Sequence, residues 1–266
     1  MTGVYRYAPR SSLSITLAVW RALFIREVLT RFSIHRAGWI WILLEPVILI
    51  GITMVIWGVF RVRDINGINP GVFTMLGVLG FFTVQKTTTR SLHAIRSNSS
   101  LFTYRQVLPV DTILVRAAVE ACILLMTMLV VMGGLLMLGF QAVPEKIGQV
   151  LFAFGSLWGI GLGLGLVLSA LQVLVSEIHH VVEVMFRPLY FFSAVHIPVS
   201  LVPYPYRGWL LLNPLVHGIE LLRGGFYHQL QPAPGVSTFY LANWVLVLVV
   251  LGLALHYRFS DRVVAD

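Results

Sequence analysis

GWIWILLEPVILIGITMVIWGVF, residues 38–60, decides how the rest of the chain is read. The stretch matches the roughly 20 apolar residues that a helix needs to cross the hydrocarbon of a bilayer, and its single charge is Glu45, followed at once by Pro46. Five further stretches read as spans, at about 70–86, 112–139, 148–175, 184–202 and 238–257. Composition agrees: the 266 residues are 58% hydrophobic and 11% charged, whereas a soluble domain carries roughly 25% charged residues. The expected fold is an all-α integral membrane protein of about six transmembrane helices. An amphipathic interface helix is expected at its N-terminus and a short re-entrant hairpin before the last span. Residues 1–37 form the cytoplasmic tail and interface helix; residues 38–266 form the membrane domain, with a cytoplasmic segment at 86–111 and a non-cytoplasmic re-entrant segment at 203–226.

Lysine and arginine set the orientation, because short loops rich in them stay in the cytoplasm. With the N-terminus inside, Arg6, Arg10, Arg21, Arg26, Arg31, Arg36, Lys86, Arg90, Arg96, Arg105, Arg116, Arg187, Arg258 and Arg262 fall on the cytoplasmic side. Arg61, Arg63, Lys146, Arg207 and Arg223 fall on the other. Fourteen against five puts both termini inside. The net charge of +8 is dispersed beside apolar runs and serves topology, which argues against a nucleic-acid partner. No signal peptide is expected in the arginine-rich N-terminus, and Cys122, the only cysteine, excludes an intrachain disulfide.

Between and before the spans lie segments of a different kind. Residues 13–36 read as a helix at the headgroup layer, with Leu17, Trp20, Phe24, Val28 and Phe32 on one stripe and Arg21 and Arg31 snorkelling to phosphates; it serves as an anchor or also touches a partner. Lys86 to Asp111 is basic, either a short docking helix or a solvated loop, with Asp111 expected to cap the third span. From Pro203 to Phe226 the chain is apolar but broken by Pro203, Pro205, Gly208, Asn213-Pro214 and Gly224-Gly225, so it should dip into the membrane and return. Asn213 before Pro214 is a helix start signal, and Glu220 and Arg223 fall three apart on the resulting helix, where they can pair. Such a hairpin lines the mouth of a pathway or acts as a structural plug. Gly155, Gly159 and Gly163 recur every four residues and permit close packing, within the subunit before between subunits.

Chemistry within the chain finds little support. Neither Lys86 nor Lys146 belongs to a phosphate-binding GxxxxGK[ST] loop, so the chain is not expected to hydrolyse ATP. Glu177, His179, His180 and Glu183 match no zinc-protease spacing and supply two converging ligands at most, so no metal is assigned and the group reads as a polar surface on a cytoplasmic turn. Ser169, Ser193 and His196 lack a nucleophile elbow. Three intramembrane charges remain: Glu45, Glu120 and Arg187. Glu45 beside Pro46 marks either a hydrated pathway or a structural ion pair. Arg187, followed by Tyr190, Phe191 and Phe192, suits an anionic glycan, while Trp39 and Trp41 suit a glycan or an interfacial belt.

Two runs carry a resemblance. FIREVLTRF at 24–32, leading into GWIW at 38–41 and Leu44-Glu45-Pro46, is similar to the opening of the type 2 ABC exporter permeases for polysaccharides, and LNPLVHGIELLRGGFY at 212–227 resembles that family's signature before its last span. The wording is nearest to capsular-polysaccharide permeases, with O-antigen and teichoic-acid permeases as rivals. The resemblance implies a bacterial inner-membrane homodimer working with two ABC ATPase subunits, which bind the ATP and Mg; this chain itself needs no cofactor. It also implies a lipid-linked acidic polysaccharide as cargo, and a periplasmic adaptor and outer-membrane exporter beyond. By the same resemblance, Trp39, Trp41, Glu45, Tyr190, Phe191 and Phe192 lie along the substrate pathway, which Arg187 joins on its own chemistry, and Arg26, Arg31 and Arg36 flank cytoplasmic access. Asn213, His217, Glu220 and Arg223 form a periplasmic gate, while Arg90, His93, Arg96, Asn98, Glu177 and His179 couple to the ATPase. The turn at 176–183 departs from the family, with Ser176-Glu177 and two histidines where an Arg-Asp pair is expected. A membrane-embedded glycan- or lipid-modifying enzyme and a non-transporting scaffold are the readings of other classes.

Overall fold

The computed structural model describes residues 12–33, 38–60, 65–103, 106–172, 174–175 and 177–259; for residues 12, 32, 33, 38–43, 45, 46 and 60 it describes the backbone alone. The described residues form helices α1 (Ser12–Ser33), α2 (Gly38–Phe60), α3 (Pro70–Leu92), α4 (Pro109–Met137), α5 (Ile147–Gln172), α6 (Ile178–Phe191), α7 (Tyr204–Leu210), α8 (Pro214–Phe226) and α9 (Thr238–Arg258). Short 3-10 turns cover Arg96–Thr103 and Val199–Leu201. Among the described residues three helices, α4, α5 and α9, are long and apolar enough by themselves to cross a membrane. At 1.5 Å per residue the 29 residues of α4 span about 43 Å, more than the roughly 30 Å of hydrocarbon.

The centre of the bundle is α3, buried from Pro70 to Phe81, with α5 against it and α8 and α9 against α5. Small residues bring these axes together. A Cβ on Gly161 or Gly165 would come within 2.8 Å of Thr87 or 2.3 Å of Ser91 on α3, and one on Gly159 or Gly163 within 2.7 Å of Val245 or 2.6 Å of Leu248 on α9. Backbone contact of this kind replaces the hydrophobic drive that is missing between helices in lipid. Gly155, expected to share this role, faces open space instead, because the α9 seam runs through Gly159 and Gly163.

Local signals place several helix ends. Asn69 Oδ1 accepts from Gly71 N at 2.8 Å with Pro70 in the first turn, and Asn213 Oδ1 accepts from Leu215 N at 3.0 Å with Pro214 likewise placed. Three boundaries differ from the sequence expectation. Helix α3 runs on to Leu92, so Lys86 sits within it rather than at its end. Helix α4 starts at Pro109, not after Asp111; Asp111 reaches back from the first turn, its Oδ2 accepting from Leu108 N at 3.0 Å. The helix expected over 184–202 covers 178–191 instead. It stops because Asn213 Nδ2 donates to Phe192 O at 3.1 Å, Ala194 turns left-handed at φ 55°, and the next carbonyls face the guanidinium of Arg223.

Candidate functional site

At one end of α3, residues three and four apart build a stripe of Phe82, Gln85, Lys86, Thr89 and Arg90. Leu49 of α2 and Glu183 of α6 complete the lining of a cleft of about 460 Å³. Apolar Phe82 and Leu49 share it with the two cations and one carboxylate. On either side, apolar faces of α2 (Ile48, Ile52, Val55, Val59) and α6 (Val181, Val184, Met185, Phe191) are exposed, as is Phe192 just after α6.

Beyond the cleft, at the same end of α3, His93 stands edge-on to His179 of α6 with ring centroids 5.9 Å apart, and His180 lies 3.9 Å from His179. Burial, and then the charge of His179, push the His93 pKa below its ordinary 6.5. Arg96 is exposed in the 3-10 turn, and exposed Glu177 precedes α6, so the residues expected to couple to an ATPase share one end of the bundle. Asn98 is the exception: it is buried, its Nδ2 donating to Ala94 O at 2.7 Å while its Oδ1 accepts from Arg26.

A second cluster joins α1 to α4. Arg31 Nη1 donates to Glu120 Oε2 at 2.6 Å and its Nε to Glu27 Oε1 at 3.2 Å; Arg116 Nε donates to the same Glu27 oxygen at 3.1 Å. Trp20 Nε1 donates to Asp111 Oδ1 at 2.7 Å. Arg31 therefore does not snorkel to headgroups but turns inward, because Glu120 is buried in a helix where nothing else described neutralises it. The helix is laid polar side down, with Leu13, Leu17, Ile25 and Leu29 pointing outward. Sequence reasoning flagged Glu120 as a charge needing a reason but could not supply its partner 89 positions away.

The broken segment folds as two short helices, and Glu220 and Arg223 do pair, Nη1 to Oε1 at 3.3 Å. Arg223 is 1% exposed. It also donates to the carbonyls of Phe73 at 3.2 Å, Ala194 at 2.9 Å and Val195 at 2.5 Å, and lies 3.6 Å over the Phe73 ring. With four donated bonds, this guanidinium stitches α8 to α3 and to the chain after α6. His217 accepts from Ser237 N on Nδ1 at 2.9 Å, so its Nε2–H donates to Leu211 O at 2.8 Å. Arg187 and Phe191 stand exposed on α6 and Phe192 just after it, while Tyr190 packs edge-on to Phe81 and His196. The side chains of Trp39, Trp41 and Glu45 lie outside the described residues, as does Arg36 altogether. At the opposite end of the bundle His228 donates to Glu145, holding that carboxyl below its ordinary pKa.

Ser169 Oγ lies 3.1 Å from His256 Nε2, but both are buried between α5 and α9 and share the carbonyl of Leu166, which makes the pair a helix tie. Among the described residues, then, buried charges are held by partners on their own or neighbouring helices, glycines seat helix on helix, and a polar cleft opens at one end of the bundle. Residues 18–227 match the ABC-2 type transporter family, and the chain belongs to it. This places it among transport permeases rather than enzymes. It is 34% identical over 250 residues to the polysialic acid transport protein KpsM of Escherichia coli, covering 93% of this chain and 95% of that one. It is 29% identical to the capsule polysaccharide export inner-membrane protein CtrC of Neisseria meningitidis serogroup A, over 99% of both chains. With the protein BexB of Haemophilus influenzae, of the same description, it shares 25% over 96% of each.

Proposed function

We propose that this chain is the membrane-spanning permease of an ATP-driven exporter that moves an acidic, lipid-linked capsular polysaccharide across the bacterial inner membrane. The observation that carries the reading is the end-to-end match to KpsM, whose name specifies polysialic acid, together with capsule-export relatives matched over nearly their whole length. Energy comes from a separate ATPase, which binds the ATP and its Mg. The chain crosses the membrane about six times with both termini in the cytoplasm, an arrangement supported by its lysine and arginine distribution.

Two copies pair so that the exposed faces of α2 and α6 meet around a hydrated path, with Arg187 and Phe191 of α6, Phe192 just after it, and Trp39, Trp41 and Glu45 of α2 along it. The end carrying Arg90, His93, Arg96, Glu177 and His179 docks on the ATPase; closure of the ATPases on ATP pushes α3 and α6, and hydrolysis resets them. The α7–α8 hairpin, with Asn213, His217, Glu220 and Arg223 as its fasteners, closes the periplasmic mouth, beyond which an adaptor and an outer-membrane exporter take the polymer. Co-expression of the chain with a candidate ATPase in a capsule-negative strain lacking its own permease tests the reading. Polymer should reach the cell surface only when both are present, and the two should copurify in equal numbers. Surface polymer without the ATPase, or modification of lipid-linked substrate by the purified chain alone, defeats it.

A further inference from the structure

Helix α6 meets α3 at two places of different character. In its second half, Phe186 and Tyr190 pack edge-on to Phe81 with ring centroids 6.0 and 5.0 Å apart, a contact that no change of pH disturbs. Its first turns bury Val182 and otherwise reach the end of α3 through histidines: His93 stands edge-on to His179 at 5.9 Å, and His180 lies against His179 at 3.9 Å. His93 is the C-cap residue of α3, and its carbonyl accepts from Ser97 Oγ at 2.8 Å, so its ring stands where the helix passes into the 3-10 turn. Neutral imidazoles gain from packing edge to face, whereas two imidazolium ions at the same separation repel.

The surrounding charges sharpen that contrast. Arg90 on α3 and Arg116 from α4 oppose a proton on His93, and Glu183, one turn beyond His179 on α6, favours one. Lys86, Arg96 and Glu177 stand at the same end of the bundle. One carboxylate can offset one imidazolium; a second proton on the adjoining ring adds like charge 5.9 Å away. We propose that His93, His179 and His180 form a proton-operated latch, which holds the first turns of α6 against the end of α3 while the rings are neutral and releases them when the cytoplasm acidifies, so that the face offered to the ATPase loses its shape and export stops. Burial and His179 keep His93 below its ordinary 6.5, so the contact is complete above about pH 6.5 and is lost as pH falls further. Phe186 and Tyr190 stay on Phe81 throughout, which makes the movement a swing of one end of α6. The latch is a property of this chain; its effect on the ATPase rests on the export reading above.

The experiment separates the two. The full-length chain carrying Cys122→Ser is spin-labelled at Ser99→Cys, in the turn after α3, and at Val181→Cys on α6, both exposed positions. It is diluted with unlabelled chain in phosphatidylcholine nanodiscs without ATPase, so that double electron–electron resonance reads distances within one copy. Between pH 7.5 and 5.5 the distance should lengthen and broaden, and return when the pH is restored. The triple variant His93→Gln/His179→Gln/His180→Gln should give one distribution at both pH values, while His228→Gln, at the other end of the bundle, should respond as the parent does. Should the triple variant be lost to misfolding, His179→Gln removes the middle ring alone and should cut the response. An unchanged distance in the parent, or an equal response in the histidine variants, overturns the latch. In a second arm, the affinity of the purified ATPase for the unlabelled chain should fall about tenfold over the same pH range, and much less for the triple variant. A distance change without any loss of affinity overturns the regulatory role. Failure of the ATPase to bind at either pH strikes the export reading and leaves the distance measurement standing.

Discussion

Arg223 shows how one side chain can determine a local architecture. Its guanidinium serves Glu220 on its own helix, the carbonyl of Phe73 on α3, and those of Ala194 and Val195 beyond α6. Those last two bonds hold open a helix end that would otherwise continue, and they accompany the left-handed backbone at Ala194. Replacing Arg223 by Met should destabilise the fold by about 3–5 kcal/mol, because Glu220 is left buried and uncompensated. The double variant Glu220→Gln/Arg223→Met should recover part of that loss. Denaturation of the detergent-solubilised chain, followed by circular dichroism, measures both; equal stability of the single variant and wild type would mean that the network contributes nothing. The pair was legible in the sequence from its i,i+3 spacing, but its three carbonyl partners were not, since they come from residues 28 to 150 positions away.

Two element contacts make separate demands. The α5–α9 seam depends on Gly163, whose added Cβ would sit 2.6 Å from Leu248 Cβ and 3.0 Å from the backbone of Val249. Gly163→Val should cost about 1–3 kcal/mol through forced separation of the helices, while Gly155→Ala, with open space around it, should be neutral or slightly stabilising. Thermal unfolding of the two variants distinguishes them, and the sequence alone ranked them equally. The contact of α3 with α6 is pH-sensitive in a defined direction. Burial and His179 lower the His93 pKa in the folded state, with Arg116 and Arg90 adding to the effect and Glu183 opposing it. The unfolded chain thus binds the proton more readily, and stability falls as pH drops through about 6.5 towards the folded value. The thermal midpoint of wild type should fall more steeply between pH 7.5 and 5.5 than that of His93→Gln; parallel slopes would remove His93 from the account.

For the whole molecule, the outward faces of α2 and α6 flank the cleft and find no cover among the described residues, whereas α3 and α5 are wrapped. A symmetric pair meeting at α6 predicts that, with Cys122 changed to Ser, a single cysteine at Val184 crosslinks into a dimer in membranes. A cysteine at Val247, on the outer face of α9, should not. Both positions are exposed in the single chain, so exposure alone would make them equivalent. Crosslinking at Val247 but not at Val184 would move the interface elsewhere.

Hydrophobicity along the chain was enough to establish an all-helical membrane protein, because lipid leaves the backbone few other ways to satisfy itself and each long apolar run must therefore be a helix. Short-range chemistry likewise placed the start of α8, since a cap such as Asn213 acts on a residue two positions away. What residues 24–32 do was decided only in three dimensions: Glu27 and Arg31 look like a surface pair at i,i+4 until Arg116 and Glu120 arrive from α4. The same holds for the length of α6, which Asn213 and Arg223 curtail, and for the cleft, whose α3 stripe becomes a pocket only when α2 and α6 stand beside it. Periodicity reports the face of one helix, but a charge acquires its partner, and a stripe its opposing wall, from segments whose approach no local pattern encodes.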